Sequence, residues 1–143
     1  MLTNADTLHL ADRLRLAIGR LARRLRQQSL GGLTPSQRSV LATLDRAGPM
    51  TMGRLAELEG ISRPAATGIA SRLVERGLVE RNPNPVDRRS ALVRLTSGGA
   101  EVLERGRRER TTILAVGLMG LSEAERQTLE EAVGVLDRLV GEE

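Results

Sequence analysis

Residues 50–77, MTMGRLAELEGISRPAATGIASRLVERG, leave few ways to fold. The spacing predicts a short helix from about Met52 to Glu59, a turn at Gly60, and a second helix capped by Ser62 and ended at Gly77. Ala56, Gly60, Ala66 and Ile69 occupy the small or apolar places that let two such helices pack closely. Helix, glycine turn and helix in so short a stretch make a helix-turn-helix. Directly behind it, LVER and ALVRL alternate apolar and polar residues around a Pro/Asn-rich centre, NPNPVDRRS. Period two on both flanks predicts a β-hairpin with a long tip. A hairpin in that place is a wing, and its tip carries two adjacent arginines, Arg88 and Arg89.

Helices are expected on either side. From about Asn4 to Gln28, Leu10, Leu14, Ala17, Ile18, Leu21 and Leu25 form one stripe at three-and-four spacing, with most of the arginines off it. Gly31 and Gly32 break that pattern. LTPSQRSVLATLDRAG then opens on Thr34 as N-cap and Pro35 at the first helical position, buries Val40, Leu41 and Leu44, and stops at Gly48-Pro49. After the hairpin, a helix runs from Ser97 to about Met119. A capping box from Ser122 to Glu125 starts the last one, whose apolar face holds Leu129, Ala132, Val133, Leu136, Leu139 and Val140.

The stripes on the terminal helices exceed what one small winged unit can cover, which predicts partner helices from a second copy. The expected fold is mainly α with a small β wing. It is one domain over residues 1–143, a winged helix-turn-helix across 34–96 flanked by N- and C-terminal dimerisation helices in 1–33 and 97–143.

Composition removes whole classes of chemistry. A chain of 143 residues can bury a real core, but with no Phe, Tyr or Trp that core must be aliphatic. There is no cysteine, so disulfides, thiol redox sensing and thiolate metal sites are all excluded. All 22 basic residues are arginine, which excludes a lysine Schiff base. The only histidine, His9, lies near the start of an amphipathic helix and reads as a surface or interface residue. Single-stranded nucleic-acid readers stack bases on aromatic rings, and none exist here. Neither an enzyme nor an RNA reader is expected, and no cofactor or metal is called for. No apolar run reaches the ~18 residues that suggest a membrane span. The first residues mix acids and arginines into their apolar pattern, unlike a signal peptide, and the cytoplasm is the simplest location.

Net charge is +4 but unevenly spread. Residues 1–28 hold six arginines against two acids, residues 54–94 eight against five, and residues 122–143 two against seven. A basic front with an acidic end points to a polyanionic partner for the first parts.

LTPSQRSVLATL, LAELEGISRPAATGIASRLVERGLVER and DRRSALVRLTSGG, in this order and spacing, resemble the MarR family of bacterial transcription regulators, winged-helix homodimers. The resemblance covers nearly the whole chain, and its third piece matches the family's D-x-R wing signature. It implies a duplex-DNA reader whose second short helix enters the major groove. The residues then presented to DNA are Ser62, Arg63, Pro64, Ala65, Thr67, Gly68, Ser71 and Arg72. Arg63 suits a guanine contact or a phosphate, Ser62 and Thr67 a phosphate or a base, and Ala65 and Gly68 either close approach or packing room.

In the D-x-R pattern Asp87 pairs with Arg89 and orients its guanidinium, Arg89 enters a narrow minor groove, and Arg88 contacts phosphate. Two copies imply an inverted-repeat site with half-sites about one turn (~34 Å) apart. The resemblance also implies a small, often anionic effector in a crevice between the winged helix and the dimer helices, with Arg15, Arg20 or Arg38 as its cation. Those three have a plainer reading as solvated or ion-paired surface arginines. TSGGA lacks the family's usual charge after the threonine, which predicts a looser start to that helix. Repression is the expected mode. The rival is a winged helix that binds an acidic protein.

Overall fold

The computed structural model describes residue 1, residues 3–28 and residues 31–141. Glu142 and Glu143, two of the seven acids counted at the C-terminal end, lie outside the described residues. The elements are α1 (Asn4–Gln28), α2 (Pro35–Ala47), β1 (Met50–Thr51), α3 (Met52–Glu59), α4 (Arg63–Glu75), β2 (Val79–Pro83), β3 (Ala91–Leu95), α5 (Ser97–Met119) and α6 (Glu123–Val140). The fold is the expected one, mainly helical with a small antiparallel sheet.

Local chemistry sets most boundaries. Thr34 and Gln37 form a reciprocal capping box at the start of α2, and Ser122 and Glu125 form another at α6. Thr51 caps α3, Ser62 caps α4, and Gly60 closes α3 in the left-handed region at φ 64°. Nothing lies within 4 Å of where a Cβ on Gly60 would sit, so its role is that turn and not close packing. The carboxylate of Glu59 accepts from Ser39 Oγ (2.7 Å) and Thr43 Oγ1 (2.5 Å), tying the end of α3 to α2.

The sheet holds one strand that periodicity does not reveal. β1 is two residues long and pairs with β3, Met50 opposite Val93 and Thr51 opposite Leu92. So short a segment has no detectable period; it is a strand because β3 offers it an edge. β2 pairs along the other side of β3 and runs on through Asn82 and Pro83, residues the sequence places in the hairpin tip. Pro83 is tolerated because β2 is an edge strand.

Leu33, Val40, Leu41, Leu44, Met50, Leu55, Leu73, Leu78, Val79, Val93 and Leu103 form one aliphatic cluster, in which full burial of a leucine contributes about 2 kcal/mol. Ala66 and Ala70, both fully buried, let α4 lie close to that cluster. Among the described residues, neither α1 nor α6 has a buried one. Leu10, Ile18 and Leu21 on α1 and Leu129, Val133 and Leu139 on α6 stay exposed.

The start of α5 corrects the expectation of a loose helix end. Thr96 Oγ1 accepts from Gly99 N (3.1 Å) and donates to Gly77 O (2.6 Å), while Thr96 N donates to Leu78 O (3.2 Å). Gly99 is buried, and a Cβ there would fall 2.2 Å from Leu78 O. Gly99 thus lets α5 dock directly on the backbone. Further along, the basic stretch of α5 is largely neutralised. Arg107 bonds Asp45 of α2 (2.9 Å) and Glu104 (3.3 Å), and Arg105 and Arg108 pair with Glu101 and Glu104. No described helix is long and apolar enough to cross a membrane.

Candidate nucleic-acid interface

The caps and the core decide which face of α4 is free. Ala66, Ala70 and Leu73 recur at four and three residues and bury one side. That leaves Ser62, Arg63, Pro64, Ala65, Gly68 and Arg72 exposed and Thr67 and Ser71 half-buried, so the residues read from the sequence share one outward surface. Ser62 Oγ accepts from Ala65 N at 3.2 Å, so this hydroxyl starts the helix as well as standing at its exposed end. A methyl on Gly68 would meet nothing within 4 Å, so packing inside this chain does not require the glycine.

The wing tip is braced by its own side chains. Asn84 Oδ1 accepts from Val86 N (3.0 Å), Asn84 Nδ2 donates to Ser90 Oγ (3.1 Å), and Asn84 N donates to Ser90 O (3.2 Å). Asp87 Oδ1 accepts from Arg89 N at 3.0 Å. This corrects the expected Asp87–Arg89 ion pair: the carboxylate holds the arginine's backbone amide, not its guanidinium. A side chain that accepts from the amide two residues on forms a local turn by itself, with no guanidinium partner needed.

Among the described residues, Arg63, Arg72, Arg88 and Arg89 have no ion-pair partner, whereas neighbouring Arg54 pairs with Glu57 and Arg94 with Glu80 across the hairpin. These four exposed guanidinium groups stand on α4 and the wing tip without a carboxylate partner among the described residues, and Arg81 on β2 is a fifth, held instead by neutral oxygens. A concave space of about 170 Å³ separates the two elements, with Arg63, Thr67, Arg81 and Ser90 in its walls.

Arg81 is the residue that sequence reasoning missed. Its Nη2 donates to Ser71 Oγ (2.8 Å) and to Thr67 O (3.4 Å), joining the wing strand to α4. The available signal was parity: Arg81 stands two residues from buried Val79, on the same face of β2, and opposite Val93.

The three effector candidates do not converge. Arg15 pairs with Asp12 at 2.6 Å on the open surface of α1, and Arg20 borders a shallow groove on that helix. Arg38 is different. It lines a cavity of about 100 Å³ walled by Leu33, Arg76, Val102, Leu103 and Arg110. Its buried Nε has no hydrogen-bond partner among the described residues, and burial first, then the charges of Arg110 and Arg26, push its basicity down. Arg76, in the same wall, donates to Gly32 O at 3.1 Å.

This arrangement matches known proteins. The model of the MarR family matches residues 33–91. An HTH-type transcriptional regulator from Mycobacterium tuberculosis is 39% identical over 134 residues, covering 93% of this chain and 94% of that protein. The chain belongs to the MarR family. Among solved structures, this MarR-family chain is similar to a putative transcriptional regulator from Pseudomonas aeruginosa, with TM-score 0.78, 33% identity, and coverage of 97% of this chain and 98% of that one. It is also similar to a mutant MarR from Escherichia coli complexed with operator DNA, with TM-score 0.60, 29% identity, and coverage of 95% and 99%.

Proposed function

We propose that this MarR-family protein is a cytoplasmic repressor that binds a pseudo-palindromic DNA duplex as a homodimer. The observation that carries the reading is that Arg63, Arg72, Arg88 and Arg89, on the outward surface of α4 and the wing, have no ion-pair partner among the described residues. A helix lies in the major groove with its first turns against base edges, and a hairpin arginine suits the negative potential of a narrow minor groove. Similarity to a MarR solved with operator DNA supports the same mode. The exposed apolar faces of α1 and α6 support a second copy as partner, with residues 1–33 and 97–143 as the dimerisation region around a DNA-binding unit at 34–96. Charge agrees: α1 is rich in arginine, and α6 carries Glu123, Glu125, Glu130, Glu131 and Asp137.

Selection from a randomised duplex library near physiological salt tests this directly. The wild type is expected to enrich an inverted repeat with half-site centres about one helical turn apart. Arg63→Ala is expected to relax one position per half-site, at a cost of about 1–3 kcal/mol per contact. A single half-site would refute the dimer. Binding that enriches no sequence and fades with salt would leave only a basic surface, and the rival reading of an acidic protein partner would replace this one.

The effector is proposed to be a small organic anion seated in the cavity beside Arg38. An anion would give the partly buried Arg38 a charge partner in a wall that holds Arg76 and a single acid, Glu109, and Leu33, Val102 and Leu103 supply apolar contact without an aromatic wall. It can release DNA only by binding the DNA-incompetent arrangement more tightly. A panel of small organic carboxylates is expected to dissociate the wild-type complex and to leave Arg38→Gln bound. Equal release of both proteins, or of neither, rejects this site.

A further inference from the structure

The hydroxyls along α4 already have hydrogen-bond partners inside the protein, and those partners fix what each hydroxyl can offer outward. A hydroxyl has one proton and two lone pairs. Thr67 Oγ1 lies 2.9 Å from Arg63 O, a carbonyl that can only accept, so its proton is committed to the helix and only lone pairs remain. Ser71 is in the opposite state. Its Oγ accepts from Arg81 Nη2 at 2.8 Å, and its proton goes to no group among the described residues. A guanidinium N–H is a strong, charge-assisted donor, and taking its bond polarises the hydroxyl toward donating in turn. Arg81 itself is held on that face by the strand register opposite Val93, and it has no carboxylate partner among the described residues.

We infer that Arg81 is a positioning residue that sets Ser71 as a hydrogen-bond donor, so that Thr67 and Ser71 read opposite base edges. The inference rests on the proposed DNA-binding reading and adds a chemical prediction to it. Ser71 matches an acceptor edge such as guanine N7 and O6 or thymine O4, and disfavours the cytosine N4 amino group. Thr67 matches an amino edge, adenine N6 or cytosine N4. A serine or threonine with no internal partner would serve either edge.

The test is randomised-duplex selection with wild type, Arg81→Met, Arg81→Lys, Ser71→Ala and the Arg81→Met/Ser71→Ala double variant, with salt dependence measured on the enriched site. Arg81→Met and Ser71→Ala are expected to relax the same base position by about fivefold. The double variant should relax it no further, and the position facing Thr67 should keep its preference. Arg81→Lys, which retains a cationic donor, should restore part of the preference at Ser71. The salt slope of Arg81→Met should equal that of the wild type, because no phosphate contact is lost.

Three results would overturn the inference: a uniform loss of affinity with a slope shallower by about one, as for a phosphate ligand; relaxation at different positions in the two single variants; or a cytosine amino edge enriched opposite Ser71. A wild type that enriches no sequence at all removes the DNA reading itself. An enriched inverted repeat with any of those three results removes only the role of Arg81.

Discussion

Gly99→Ala is expected to destabilise the protein by about 3 kcal/mol, at the upper end for an inserted methyl group, and to lower the melting temperature by roughly 10 °C. The added Cβ would lie 2.2 Å from Leu78 O, 2.6 Å from Leu95 Cδ1 and 3.2 Å from Leu78 C. A leucine terminus could swing aside; the carbonyl cannot. Leu78 O already accepts from Thr96 N at 3.2 Å, and Thr96 in turn caps α5 through Gly99 N. Moving the carbonyl therefore disturbs the joint between the wing and α5 as a whole. Gly98→Ala is the internal control, since its Cβ would meet Gly77 O at 3.4 Å and Thr96 Oγ1 at 3.6 Å, which is ordinary contact. That variant should stay within about 1 kcal/mol of wild type, helped by the better helix propensity of alanine. Thermal melts of both variants at one protein concentration decide the point, since association shifts apparent stability. Equal melting temperatures for the two would mean that α5 does not dock on Leu78 as described.

Arg89→Ala is expected to weaken operator binding about 30-fold, or about 2 kcal/mol, with the largest loss on sites with A·T-rich flanks. The side chain is exposed, has no ion-pair partner among the described residues, and projects from a tip held by the Asn84–Ser90 and Asp87–Arg89 hydrogen bonds. A pre-ordered tip loses little entropy on entering the groove, so most of the electrostatic gain survives as affinity. Asp87 gives a sharper test of how the wing is built. Because Asp87 Oδ1 accepts from an amide, Asp87→Asn retains an acceptor in place and should keep affinity within about twofold. Were Asp87 orienting the guanidinium through its charge, Asp87→Asn would approach the loss seen for Arg89→Ala. Fluorescence anisotropy at two salt concentrations measures both variants, and an unchanged affinity for Arg89→Ala would dismiss the minor-groove role.

Much of the fold and the outline of the interface were legible before any coordinates. Thr34, Ser62 and Ser122 each announce a helix start, Gly60 and Gly77 its end, and the alternation in LVER and ALVRL announces the hairpin. The outward face of α4 follows from the same spacing that buries Ala66, Ala70 and Leu73. Other features were not legible, each for a physical reason. β1 is too short to have a period. Asp87 had two acceptor roles open to it, amide or guanidinium, and only geometry chooses between them. TSGGA looked like a weak helix start because the value of Gly99 lies in the Leu78 backbone opposite it. Parity puts Arg81 on the same face of β2 as Val79, but only the packing of β2 against α4 shows that this face meets Ser71.

The sequence by itself determined the helices, the turn, the wing, the aliphatic character of the core and the exclusion of thiol and lysine chemistry. These depend on residue types and on spacings within a few positions, and caps, turns and periodicity are local by nature. Only the tertiary structure decided that Arg81 reaches Ser71, that Arg38 faces Arg110 and Arg76 across a cavity, and that Gly99 rests on Leu78. Those contacts join different elements, from ten residues apart upward, and the packing of the whole domain, not any local preference, brings them together.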